Sequence, residues 1–171
     1  ERITTPTMPA SGSVALPQEE EMDSRSMLDT LERVLESSKI AVLATVDKNG
    51  SPHMRWMTPG IVRGREGFLY AVTSPEFRKT EEVDGNPQVE WMIQSKSLDE
   101  IMTAKGSMAI IDNPSVKAEV LEAIGGHLST FWKMNPDQAK MVVLETSISE
   151  LRYLKPLTGE RHEINLGEAN G

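Results

Sequence analysis

The chain reads as a mainly β protein with short helices (α+β), built as a small antiparallel barrel, closed or partly closed. Three observations predict this. Apolar runs of strand length are separated by tight-turn signals at Asp47-Lys48-Asn49-Gly50 and Gly64-Arg65-Glu66-Gly67. Helical periodicity is confined to short segments between particular strands. The repeated strand-helix-strand alternation of a parallel doubly wound sheet is missing.

The elements follow in order. Residues 1–23 are rich in Pro, Ser, Thr and Glu, lack a periodic apolar pattern, and read as a flexible or partner-wrapping arm. Met27, Leu28, Leu31, Val34 and Leu35 recur at helical spacing, with Ser26 and Asp29 suited to a capping box. This predicts an amphipathic helix over Ser24 to Ser37 that covers the sheet or a barrel end. Ile40 to Val46 is a buried strand, and the Asn-Gly turn returns the chain along Ser51 to Thr58. Pro59-Gly60 bends it. The second turn leads to the strand Phe68 to Thr73, so three strands are expected as an antiparallel meander. Ser74-Pro75 reads as a helix start, because Ser caps well and Pro suits the first turn. Gly85-Asn86-Pro87 stops that helix. Gln88 to Gln94 and Glu100 to Ile111 are the next strands. Asn113-Pro114 opens another helix, with Val116, Val120, Leu121 and Ile124 on one face and Gly125-Gly126 at its end. Lys140 to Thr146 and Leu151 to Leu154 are the last strands. The expected organisation is an arm (1–23), a barrel domain (24–157) and a polar tail (158–171).

Composition limits the chemistry. The 171 residues suffice for one domain with a real core. With no cysteine, disulfides, zinc-thiolate sites and thiol nucleophiles are excluded. A formal charge of -8 argues against a nucleic-acid surface, although a local basic pocket is compatible with it. No apolar run reaches the roughly 18 residues that cross a bilayer, and no secretory signal is visible. A cytoplasmic protein is expected. Because the sequence starts at Glu1, a trimmed targeting segment is also compatible with it.

Pro52 to Lys79 is the richest stretch for function. Two strands lead into a helix start carrying Arg78 and Lys79. A helix N-terminus offers unpaired N–H groups and a positive dipole end, and arginine adds a fork for phosphate oxygens. Together with Arg55 this predicts a pocket for a phosphorylated ligand. Alternation places His53 on the face of Arg55 and Met57, where it reads first as a structural histidine. The three histidines, His53, His127 and His162, lack metal-ligand spacing, so no metal site is expected. Glu81-Glu82 and Asp99-Glu100 read as solvated faces.

These residues in this order resemble the pyridoxamine 5′-phosphate oxidase-like FMN-binding split barrels, and among them the general stress protein branch. The likeness runs from about Leu28 to Tyr153. It is carried by Ile40 to Val46, Asp47-Lys48-Asn49-Gly50, Pro52-His53-Met54-Arg55-Trp56-Met57, Leu69-Tyr70-Ala71-Val72-Thr73-Ser74, Arg78-Lys79 and Asn86-Pro87-Gln88-Val89. The resemblance implies a split β-barrel homodimer with FMN in two clefts at the subunit interface. It assigns Arg55 to the flavin phosphate or ribityl chain. Trp56, Met57 and Thr58 would line the ring through their backbone. Val72 and Thr73 would be a flavin-contacting pair, and Arg78 and Lys79 would grip the phosphate. Trp132, in Phe131-Trp132-Lys133, would approach the flavin edge of the partner. The expected activity is that of an FMN-dependent oxidoreductase of unknown substrate, with NAD(P)H a candidate donor and no catalytic acid or base named. The alternatives are a non-catalytic flavin-binding stress protein, or a split barrel holding a deazaflavin or haem.

The chain also departs from the family. Trp56 stands where the branch commonly has Pro. Ile101 stands where pyridoxamine phosphate oxidases have Gln. The Arg-His substrate motif has only Arg161-His162, in the expected tail. Pyridoxamine phosphate oxidase activity itself is therefore not expected.

Overall fold

The computed structural model describes residues 21–76, 78–128, 133 and 140–167, with side chains throughout except at residues 78–80. The expected N-terminal arm lies almost entirely outside the described residues. Helix α1 (Ser24–Ser38) is followed by strands β1 (Ala41–Val46), β2 (Pro52–Met57) and β3 (Phe68–Thr73) and helix α2 (Arg78–Gly85). Then come β4 (Gln88–Gln94), β5 (Ile101–Ile111), helix α3 (Pro114–Ile124), a 3-10 turn (Gly125–His127), β6 (Val142–Lys155) and β7 (Glu160–Asn165).

Local chemistry sets the element ends. The Asp23 carboxylate accepts from Ser26 N–H at 2.8 Å and caps α1, displacing the expected Ser26–Asp29 box. Met27, Leu31, Val34 and Leu35 turn inward from α1 as their spacing requires. In the first hairpin the Asp47 side chain accepts from the N–H groups of Asn49 and Ser51. Gly50 takes a φ of 82°, where glycine carries no Cβ penalty. Asn113 caps α3 through Ser115 and Val116, with Pro114 in the first turn as expected. Ser74 opens a turn rather than a helix, and α2 begins at Arg78.

All seven strands form one antiparallel sheet, ordered β2-β1-β4-β5-β6-β3, with β7 also pairing β6. The expected meander holds for β1–β2 but stops there. β2 and β3 stand at opposite ends of the sheet order, and among the described residues an isolated bridge between Gly60, in the segment after β2, and Tyr70 of β3 links the two sides. The sheet therefore rolls into a barrel split between these strands. Two further expectations are corrected. The last strands are one continuous strand, β6, and residues 160–165 of the expected tail form β7. Ion pairs from Arg152 to Glu163 and from Lys155 to Glu160 suit β7 to a solvated edge.

The interior carries Leu43, Leu69, Ala71, Trp91, Ile93, Met102, Ala104, Leu144 and Leu151, continuous with the buried face of α1. Trp91 Nε1 donates to Thr146 Oγ1 at 3.0 Å, so the largest buried side chain keeps its polar atom satisfied. On the outer side of β3 and β6, Tyr70, Val72 and Val143 pack with Val120 and Ile124 of α3.

Candidate functional site

The register brings one end of each barrel strand together. The C-terminal ends of β1, β3 and β5 meet the N-terminal ends of β2, β4 and β6. Helix α2 joins β3 to β4 at this end and packs against β1 and β5. Thr45, His53, Arg55, Thr73 and Glu82 all belong to this end of the molecule.

Arg55 points inward, on the side of its β1 partner Leu43. Its guanidinium is divided between two acceptors. Nη1 donates to Thr45 Oγ1 at 2.6 Å, and Nη2 donates to Glu82 Oε2 at 2.7 Å. Thr45 Oγ1 in turn donates to Glu82 Oε2 in a short hydrogen bond. Thr45 and Glu82 are buried, while the Arg55 side chain keeps 21% of its surface exposed. Burial pushes the Glu82 carboxyl up, but the hydrogen bonds from Thr45 and Arg55 and the charge of Arg55 outweigh it and hold the group below its usual range. His53 Nε2 lies 3.1 Å from Asp47 Oδ2 and 3.8 Å from Glu82 Oε1, continuing the network to the hairpin turn. The His53 contact and the Ser51 N–H lower the Asp47 carboxyl as well.

Glu82 is the member of this network that the sequence did not reveal. It reads as half of a solvated acidic pair, yet it is among the few buried charged side chains. The available signal was strand parity: Thr45, His53 and Arg55 all fall on inward positions, and an inward arginine requires an acid.

Thr73 is the second buried polar group at this end. It is 0% exposed, and its Oγ1 has no hydrogen-bond partner among the described residues. Its neighbour Val72 points the other way, into the α3 cluster. The expected pair is therefore split by the pleat, and only Thr73 directs a side chain inward. Met57 is half-buried against the core, and Thr58 follows it, also half-buried, just past the end of β2. Trp56 faces outward and is 80% exposed. Ile40, Met54, Met92 and Leu98 are exposed with it. A groove lined by Ile40, Val42, Trp56, Met92 and Leu98 runs along this outer face. Arg78 and Lys79 sit in the first turn of α2, and their side chains lie outside the described residues, as does Trp132.

Among the described residues no helix is long and apolar enough to cross a membrane, and no group of three or more acids and histidines is arranged to hold a metal.

Residues 27–155 match the family model described as pyridoxamine 5′-phosphate oxidase. General stress protein 26 of Bacillus subtilis (strain 168) is 29% identical over 138 residues, spanning 78% of this chain and 90% of that protein. A Clostridium acetobutylicum protein related to general stress protein 26 has the same fold, with a TM-score of 0.66 and 16% identity over 85% of this chain and 97% of that one. So does a heme binding protein from Mycobacterium smegmatis, with a TM-score of 0.65 and 16% identity over 81% of this chain and 57% of that one. An F420 reductase is also similar, with a TM-score of 0.56 and 18% identity over 70% and 94% of the two chains. With most of its length inside the family model and a split barrel to match, the chain belongs to the pyridoxamine 5′-phosphate oxidase family.

Proposed function

We propose that this protein binds FMN at the α2 end of the barrel and acts as an FMN-dependent oxidoreductase, as a homodimer. The observation that carries the reading is Thr73 Oγ1. A buried hydroxyl without a partner costs free energy, and such groups persist where a ligand completes them. It lies on the strand that leads into α2, whose first turn holds Arg78 and Lys79. A phosphorylated, hydrogen-bonding cofactor fits that donor set.

A bound flavin supplies reversible two-electron chemistry, fed by a reduced donor such as NAD(P)H. The chain's own residues bind and orient. Thr73 supplies a hydroxyl, α2 supplies N–H groups and cations for the phosphate, and the unladdered edge of β2 offers the backbone of Trp56 to Thr58 to a ring. The outward apolar face around Trp56 is the natural seat of a second copy, because an apolar sheet face this exposed is normally covered.

The heme binding and F420 relatives keep two other cofactors in view. Haem needs an axial ligand, and each of the three histidines already has a side-chain contact through one ring nitrogen. His53 is engaged by Asp47, His127 lies 3.4 Å from Lys39 Nζ, and His162 packs on Tyr153 and contacts Glu160.

The test is the absorption spectrum of gently purified protein, with mass identification of whatever denaturation releases. Titration with FMN, a deazaflavin and haem then ranks the three. Preference for either of the latter two overturns the FMN reading. Flavin reduction without turnover by any donor would leave a flavin-binding stress protein and overturn the oxidoreductase reading.

A further inference from the structure

We propose that the protein binds a small zwitterion, a molecule with one ammonium and one carboxylate, between the C-terminal end of α1 and the 3-10 turn after α3. Glu32 and Glu36 of α1 receive the ammonium. Lys39, just past α1, and His127 of the 3-10 turn receive the carboxylate.

These four side chains line one cavity of about 120 Å³, over an apolar floor that includes Leu35 and Ile124. Pockets for drug-sized ligands run to about 300–1,000 Å³, so this one suits a much smaller molecule. All four groups are exposed, so a ligand reaches them from solvent. Two acids and two bases in one small cavity would be expected to pair with each other. Among the described residues they do not. Neither Glu32 nor Glu36 makes an ion pair, and Lys39 Nζ instead lies 3.4 Å from His127 Nε2. When Nε2 accepts from the Lys39 ammonium, Nδ1 carries the ring proton. The bases then present N–H donors and the carboxylates present acceptors. A ligand with one group of each kind satisfies both sets.

Each half of the cavity is locally unfavourable by itself. Glu32 and Glu36 stand at i, i+4, where like charges repel. Glu36 also lies in the last turn of α1, where the helix dipole disfavours an anion and no basic residue offsets it. Lys39 takes a φ of 64°, a conformation in which a Cβ is costly and glycine is the usual residue. Its backbone N–H closes the helix on the Leu35 carbonyl, which glycine would do at lower cost. What glycine lacks is the amine beside His127. Several broken local rules in one cavity mark a functional position. An ammonium against the glutamates and a carboxylate against Lys39 relieve the charge on both sides.

The test is titration of the full chain with glycine, β-alanine and γ-aminobutyrate, which space the two charges differently. Acetate and methylamine carry one charge each. The ring-proton NMR signals of His127 report binding at this cavity. The best zwitterion should bind at least about tenfold more tightly than either single-charge probe, the scale of one added charge-assisted hydrogen bond. E32Q/E36Q should weaken that zwitterion and methylamine by about tenfold without weakening acetate. Lys39→Met should weaken the zwitterion and acetate without weakening methylamine. Lys39→Gly should lose the zwitterion as Lys39→Met does, while the melting temperature of the free protein holds or rises. Three results overturn the proposal: no zwitterion that outbinds the single-charge probes, binding that neither set of variants alters, or a Lys39→Gly variant that melts lower and still binds.

Discussion

Replacing Thr73 by Val separates stability from binding at the proposed site. The substitution keeps the side chain's branched shape and deletes the hydroxyl. In the ligand-free protein that hydroxyl is fully buried and lacks a partner among the described residues. An unsatisfied buried polar group costs about 1–3 kcal/mol, so Thr73→Val should raise the stability of the ligand-free protein by about that much. For a domain of this size the melting temperature should rise by roughly 3–9 °C. Binding should move the other way. A neutral hydrogen bond to the cofactor is worth about 0.5–1.5 kcal/mol, so FMN should weaken by roughly twofold to tenfold. Thr73→Ser keeps the hydroxyl and should retain affinity. Thermal melts with and without FMN, together with fluorescence titration, read both effects. A ligand-free variant that melts at or below wild type would show that the hydroxyl is already satisfied. Unchanged FMN affinity would show that it does not face the cofactor. Either result refutes the reasoning.

Four other predictions follow from packing and charge. Glu100 is held at about 2 by the bidentate bond from Arg33, against the effect of burial and with help from the Tyr153 hydroxyl. Its folded value is depressed, so its stabilising effect is full above the ordinary value of 4.5 and is lost as pH falls from there toward 2. Arg33 is 57% exposed, which limits the pair to about 1 kcal/mol, and Arg33→Met should flatten the fall in urea midpoint over that window. Gly60→Ala would place a Cβ 1.8 Å from Ile124 Cγ2, costing about 1–3 kcal/mol in chemical denaturation, and G60A/I124A should recover much of it. If the proposed homodimer forms through the Trp56 face, Trp56→Ser should leave the melt of the isolated fold unchanged and shift sedimentation from dimer to monomer; a persistent dimer would place the interface elsewhere. Pyridoxamine phosphate should show no turnover near ~1 s⁻¹ in a steady-state assay with added FMN. Arg161 and His162 lie on β7, which pairs with the C-terminal part of β6 (Glu150–Lys155), whereas the α2 end of the barrel holds the N-terminal part of that strand.

The parts of the fold that local chemistry controls were legible. The Asp47 side chain and Gly50 close the first hairpin, and inward alternation in β1 and β4 follows the residue pattern. What escaped depends on partners distant in sequence. Residues 58–67 look like a bend and a turn between neighbouring strands, but β3 pairs with β6, which begins only at Val142. The polar stretch around Ser147 resembles a strand break. It remains strand because Gly106 lets the backbones close in: a Cβ there would lie 2.1 Å from the Ser147 carbonyl oxygen, beside the register shift at Lys105/Gly106. β7 carries alternating polar residues and was invisible until β6 offered Arg152 and Lys155 to its acids.

The candidate site shows the same division in sharper form. Cations on a strand and a helix start point to Arg55, Arg78 and Lys79 from the sequence, and the structure turns Arg55 inward onto Thr45 and Glu82. Cation-counting alone cannot say what an arginine is bonded to. An inward arginine beside an inward threonine calls for an acid, and the chain contains 26 acidic residues. Glu82 meets that need because α2 folds back over the C-terminal end of β1, a consequence of β4 pairing with β1 rather than with β3. The residue that pairs with Arg55 is thus selected by strand order. A surface-looking acid in a short helix after β3 becomes a buried counter-ion only once the third strand has moved to the far side of the split.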